Sequence, residues 1–168
     1  VLSAALPLAA HPQARSAAII GMGSGQTSHI MLGSSSLERV DTIEIEAAVI
    51  DAARQFGAHV ERVFDDPRSH VFIDDARTFM STHNARYDII MAEPSNPWVT
   101  GVSSLFTERF YQLTARHLNT GGILAQERPN IVWILSEDNC MHYLSLYGAP
   151  LGGTPQIESL AKEGVTFD

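Results

Sequence analysis

Three glycines at alternate positions close an apolar run, Ala17-Ala-Ile-Ile-Gly-Met-Gly-Ser-Gly25, and a second run, Thr42-Ile-Glu-Ile-Glu46, ends in acids further on. An apolar strand turning through glycines, with an acid about twenty residues later, describes a nucleotide or nucleoside site at the carboxyl ends of adjacent parallel strands. Gly21, Gly23 and Gly25 let the backbone turn tightly and approach a ligand closely. Glu44 stands where a carboxylate accepts hydrogen bonds from two ribose hydroxyls. Gln26 occupies the place where a dinucleotide fingerprint has its third glycine, needed for close packing around a pyrophosphate. That substitution favours a ligand without phosphates, such as an adenosyl sulfonium compound. Asp75, after a third apolar stretch, then has a use as acceptor for the adenine amino group. An equally ordinary role for Asp74 and Asp75 is a strand end and a helix N-cap.

The remaining pattern is that of an α/β protein. Strands are predicted at 17–21, 40–45, 71–73, 87–92 and 123–125, and helices at 26–32, 47–56, 76–81 and 104–118. Val49, Ile50, Ala53 and Phe56 form the apolar stripe of the second helix. Asn119-Thr-Gly-Gly122 is the breaker before the fifth strand. Strands alternating with helices imply a parallel, Rossmann-like sheet covered on both faces. After Gln126 the rhythm breaks: Glu127-Arg-Pro-Asn130 leads straight into Ile131-Val-Trp-Ile-Leu135, with no room for a covering helix. This last run is a candidate neighbour of the fifth strand, covering an otherwise bare edge.

Composition narrows the class. The 168-residue chain supports one domain with a real core, and its formal net charge of −8 argues against a nucleic-acid partner. The single cysteine, Cys140, excludes an internal disulfide and fits a reducing, cytoplasmic compartment. No apolar run approaches the roughly 18 residues of a membrane span. Residues 1–10 are apolar but lack the basic start of a signal peptide.

Several separate stretches in order carry a family resemblance: Leu6-Pro-Leu with His11-Pro12, the glycine loop, Ile43-Glu-Ile-Glu46, Asp65-Asp-Pro-Arg68, Asp75-Ala-Arg77, Tyr87-Asp-Ile-Ile90 and Ser104-Leu-Phe-Thr-Glu-Arg-Phe-Tyr111. Over residues 6–126 the chain resembles the spermidine synthase-like branch of the adenosylmethionine-dependent transferases. The resemblance implies a methyltransferase-type sheet that takes decarboxylated S-adenosylmethionine, or S-adenosylmethionine, as substrate, with a polyamine as acceptor and a homodimer as assembly. Its ligand positions correspond to Gly21, Gly23, Gly25, Glu44, Asp75 and Ala76.

Two departures qualify that likeness. Ser24 replaces an acid of the family's glycine loop. The family's catalytic loop, Asp-Ser-Ser-Asp-Pro, here is Glu93-Pro-Ser-Asn-Pro97. The second Asp is the base that deprotonates the attacking amine, and Asn96 cannot take a proton. Glu93 is a candidate substitute. The loop is similar to that of spermidine synthase-like domains fused to membrane transporters. Asn96 therefore counts against standard spermidine synthesis and not against ligand binding. Trp98 is a candidate for lining a substrate pocket.

Residues 128–168 carry a second likeness. Arg128-Pro-Asn-Ile-Val-Trp-Ile-Leu-Ser-Glu-Asp-Asn139, His142-Tyr143, Tyr147-Gly148 and Thr154-Pro-Gln-Ile-Glu-Ser-Leu-Ala-Lys-Glu-Gly-Val-Thr-Phe167 together resemble the opening of a sulfatase. That resemblance implies Glu137 and Asp138 as oxygen ligands of a calcium ion, in a site that is incomplete because calcium takes about six or more oxygens. Cys140 is not the sulfatase nucleophile, since Met141-His142-Tyr143 follow it where Cys/Ser-x-Pro-x-Arg is required. The chain is thus expected to divide into a spermidine synthase-like adenosyl-binding domain that is incomplete, its sheet truncated after the fifth strand (1–126), and a short α/β N-terminal fragment of a sulfatase (127–168). The expected function is an adenosyl-sulfonium-binding transferase domain. A sulfatase fragment and a non-catalytic adenosyl-ligand-binding module are the alternatives.

Overall fold

In the computed structural model, which describes residues 2–93 and 102–126, five strands form a single parallel sheet. They are β1 (Ser16–Ile20), β2 (Arg39–Glu44), β3 (Ser69–Ile73), β4 (Tyr87–Ala92) and β5 (Leu118–Gln126), in the spatial order β3-β2-β1-β4-β5. The chain divides into two units, Val1–Arg128 and Pro129–Asp168, and the described residues lie in the first. The order reverses at β1, so the crevice beside its carboxyl end, between the loops after β1 and β4, is where an open α/β sheet binds ligands.

The near-continuous apolar runs follow from burial on both faces. Ala17 and Ile19 of β1 pack with Met31, Leu37, Val40, Ile89 and Met91. Ala18 and Ile20, pointing the other way, pack with Ile43, Phe79, Tyr87, Ile90 and Phe110. Alternate side chains of one strand thus serve two cores.

The helices are α1 (Leu2–Ala10), α2 (Gln26–Met31), α3 (Ala47–Arg54), α4 (Glu61–Asp65), α5 (Ala76–Thr82) and α6 (Glu108–Ala115). Among the described residues none is long and apolar enough to cross a membrane. α1 and α4 go beyond the sequence reading. The helix expected over 104–118 is broken: a 3-10 turn, Val102–Phe106, precedes α6, whose N-cap Thr107 accepts a hydrogen bond from the backbone N–H of Phe110. The stripe expected through Phe56 stops short, because α3 ends at Arg54 and Phe56 is 52% exposed. The expected breaker at 119–122 lies inside β5. The β4–β5 register jumps there from Tyr87↔Leu118 to Ile89↔Ile123, and Gly121 takes φ 80° within the irregularity.

Polar side chains tie the elements together away from the strand ends that carry the site. Asp88 of β4 accepts from the backbone N–H groups of Arg15 (2.8 Å) and Ser16 (3.0 Å) and from the Asn119 amide (2.8 Å), joining the starts of β1 and β5. Burial alone would raise the Asp88 carboxyl, but these donors outweigh it and hold its pKa below the ordinary carboxylate value. Fully buried Asp41 accepts from Tyr87 Oη at 2.6 Å and from Arg39 Nε at 2.8 Å. Burial, then that hydrogen bond, pushes the Tyr87 phenol up. The Asp65-Asp-Pro-Arg68 stretch is a structural clamp: Arg68 donates to the carbonyls of Leu32, Ser34 and Leu37, while Asp66 holds its guanidinium. This one side chain gathers three carbonyls of the loop from α2 to β2.

Candidate functional site

The site grows from the end of β1. Gly21, Gly23 and Gly25 adopt φ of 91°, 52° and 82°, a region that L side chains enter at a cost. Gly21 N–H donates to Ile43 O (2.9 Å) and Glu93 N–H donates to Ile20 O (2.9 Å). These two bonds carry the parallel ladders one residue past the ends of β1 and β4. A Cβ on Gly25 would sit 3.3 Å from Met22 Cε and 3.6 Å from Val60 Cγ1, whereas a Cβ on Gly23 would meet nothing within 4 Å. Gly25, the N-cap of α2, packs closely against Met22 and Val60, and Gly23 faces open space.

Glu44 joins the loop directly. Its Oε2 accepts from Met22 N–H at 2.9 Å and its Oε1 accepts from Glu46 N–H at 3.0 Å, with the residue only 8% exposed. The neighbouring acid is used differently, since Glu46 caps α3 by accepting from Ala48 N–H. The spacing read from the sequence thus brings the glycine loop and one particular carboxylate into contact.

Asp75 follows β3 and caps α5. Its Oδ1 accepts from the backbone N–H groups of Arg77 and Thr78, both at 3.0 Å, and from Thr78 Oγ1 at 3.3 Å. All of these bonds fall on Oδ1, so the capping role leaves the second oxygen for another donor. Ala76, the first residue of α5, is buried. A cavity of about 930 Å³ opens beside this cap, bordered by Asp75, Arg77 and Thr78 near α5 and by Arg109, Leu113 and Arg116 on or beside α6. Neither the glycine loop nor Glu44 nor Glu93 borders it, so the candidate site is the strand-end crevice and not this cavity.

Glu93, directly after β4, is half-buried and accepts from Thr27 Oγ1 at 3.1 Å. Asn96 and Trp98 lie outside the described residues, as do Glu137, Asp138, Cys140 and the apolar run 131–135. Among the described residues no group of three His, Cys, Asp or Glu side chains is placed to hold a metal ion.

Sequence reasoning passed over three residues here. Ile45 and Ile73 are 68% and 62% exposed, at the ends of the paired strands β2 and β3, where Ile73 stands opposite Glu44. Single exposed apolar residues are ordinary, and each of these two is next in sequence to an acid at a strand end. Their sequence signal is adjacency to Glu44 and Asp74. Thr27 carries no such signal, because its partner is 66 residues away.

The model for the family "Spermine/spermidine synthase domain" matches residues 3–144, so its match runs into the stretch that resembles a sulfatase. Polyamine aminopropyltransferase 1 of Pseudomonas aeruginosa (strain PAO1) is 38% identical over 123 residues, covering 73% of this chain and 43% of that protein. Polyamine aminopropyltransferase of Yersinia pestis (strain Pestoides F) is 35% identical over 138 residues, covering 82% of this chain and 46% of that protein. The chain spans less than half the length of these curated relatives. A crystal structure of spermidine synthase in complex with the transition-state analogue AdoDATO superposes with a TM-score of 0.69 at 30% identity, over 74% of this chain and 43% of that one. Human methyltransferase-like protein 13 in complex with SAH, at 20% identity, covers 66% of this chain and 52% of that one with a TM-score of 0.54, and shares the fold alone.

Proposed function

The chain belongs to the spermine/spermidine synthase domain family, and we propose that it binds an adenosyl sulfonium compound at the carboxyl ends of β1, β2 and β3. The observation that carries this reading is the contact between Glu44 Oε2 and Met22 N–H at 2.9 Å. It supports a ribose lying against the glycine loop, with its two hydroxyls donating to Glu44. Asp75 and Ala76 then meet the adenine edge, and Ile45 and Ile73 meet its face. Decarboxylated S-adenosylmethionine is the favoured ligand, since the relatives at 35–38% identity are polyamine aminopropyltransferases.

Aminopropyl transfer makes a clear demand on the loop after β4. A polyamine nitrogen attacks the methylene beside the sulfonium, the N–C bond forms, and the C–S bond breaks with its electron pair going to sulfur. The products are the extended amine and methylthioadenosine, and one proton must leave the nitrogen. Glu93 is the carboxylate available at this strand end, whereas the amide of Asn96 accepts no proton at working pH. We therefore assign the chain adenosyl binding with slow transfer. Asn96 also favours a second reading, binding without turnover.

The sulfatase reading of residues 128–168 and its calcium ligands Glu137 and Asp138 rest on sequence resemblance alone. Calorimetry with methylthioadenosine and an aminopropyl-transfer assay with putrescine test the proposal. Binding with slow transfer supports the first reading, binding without transfer supports the second, and no binding contradicts both.

A further inference from the structure

We propose that Thr27 is a positioning residue, whose hydroxyl aims the Glu93 carboxylate at a cationic amine on the bound ligand. This deepens the adenosyl-site reading and rests on it. Glu93 is held at both ends: its backbone N–H donates to Ile20 O at 2.9 Å, and its Oε1 accepts from Thr27 Oγ1 at 3.1 Å. The main-chain bond fixes where the residue leaves β4, and the side-chain bond fixes where the carboxylate points. Oε2 takes no bond among the described residues.

The place of Thr27 in the chain suits it to this role. It is the second residue of α2, so no preceding helical turn offers a carbonyl to its hydroxyl, unlike Thr82 and Thr114, which donate back to Thr78 O and Phe110 O. Branching at Cβ leaves a helical threonine two χ1 rotamers, and the bond to Glu93 selects one of them. A hydroxyl has one proton, and an ionised carboxylate has none to give, so the Thr27 proton is committed to Glu93. The Ser3 hydroxyl, 3.5 Å from Thr27 Oγ1, is then the donor in that contact and extends the line to α1. A carboxylate with one oxygen held and the other without a bond among the described residues suits an ammonium, through a charge-assisted hydrogen bond. Decarboxylated S-adenosylmethionine carries such an amine on its propyl arm, and methylthioadenosine carries none.

The test measures both affinities by calorimetry on the intact chain, for wild type, Thr27→Val, Thr27→Ser and Glu93→Gln. Thr27→Val should weaken decarboxylated S-adenosylmethionine roughly tenfold while leaving methylthioadenosine unchanged, and Thr27→Ser should retain wild-type selectivity. Glu93→Gln, which keeps the shape and a Thr27 acceptor, should give the same selective loss. Equal losses for both ligands, or no loss for either, would overturn the positioning role while leaving the adenosyl site standing. Wild-type protein that binds neither ligand would overturn the site reading and this proposal together.

Discussion

Glu44 Oε2 accepts from the backbone N–H of Met22 at 2.9 Å, which joins the end of β2 to the glycine loop after β1. The carboxylate therefore shapes the loop before any ligand arrives. Its other oxygen, Oε1, accepts from Glu46 N–H, so one side chain orders the exits of both strands. A ligand hydroxyl meeting this group finds an acceptor already fixed in place, which lowers the ordering cost of binding.

Two glycines of the loop make different demands. Gly23→Ala and Gly25→Ala each force a side chain into left-handed backbone, at about 1–2 kcal/mol. Gly25→Ala adds a Cβ only 3.3 Å from Met22 Cε, so it should lower the urea midpoint more than Gly23→Ala, whose Cβ meets nothing within 4 Å. Equal losses of stability would contradict the packing role given to Gly25.

Asp88 sets a pH dependence of known sign. Burial alone would raise its pKa, but the donors from Arg15, Asn119 and Ser16 outweigh burial and hold the folded value below the unfolded one. The favourable contribution is complete above the unfolded value of about 3.9 and is lost as pH falls through the lower folded value. Asp88→Ala should cost about 2 kcal/mol at pH 7 by orphaning these donors. Denaturation midpoints should show that gap constant down to about pH 5 and shrinking below about pH 4. A gap that widens in acid would refute the assignment.

Asn96→Asp restores a carboxylate to the loop after β4. If proton removal limits transfer, this substitution should raise the rate of aminopropyl transfer to putrescine by roughly a hundredfold or more, since a positioned base contributes about that much. A wild-type rate that the substitution leaves unchanged would show that Glu93 or water suffices as base.

What the sequence revealed, and what it hid, follows from how each residue is used. The strands are legible because burial on both faces writes apolar runs such as residues 17–20 and 89–92. Glu44 is legible because the strand-turn-helix geometry fixes its spacing from the glycines. The start of β5 is hidden, since Gly121 and Gly122 look like a break while the strand absorbs them as an irregularity. α4 is hidden because its five residues bury only Val63, too little to show a period. The sequence allows Asp75 two roles: the N-cap is realised on Oδ1, and the second oxygen keeps the ligand role available. The Thr27–Glu93 contact has no local signature, because long-range hydrogen bonds between polar side chains leave no periodicity.

The most direct measurement is calorimetric titration of the intact chain with methylthioadenosine, for wild type and Glu44→Ala. The wild type should bind in a one-to-one complex, and Glu44→Ala should weaken it by at least roughly tenfold through loss of the charge-assisted bonds to the ribose. Wild-type protein that shows no binding heat, or a Glu44→Ala variant that binds as tightly as wild type, would contradict the adenosyl-site reading.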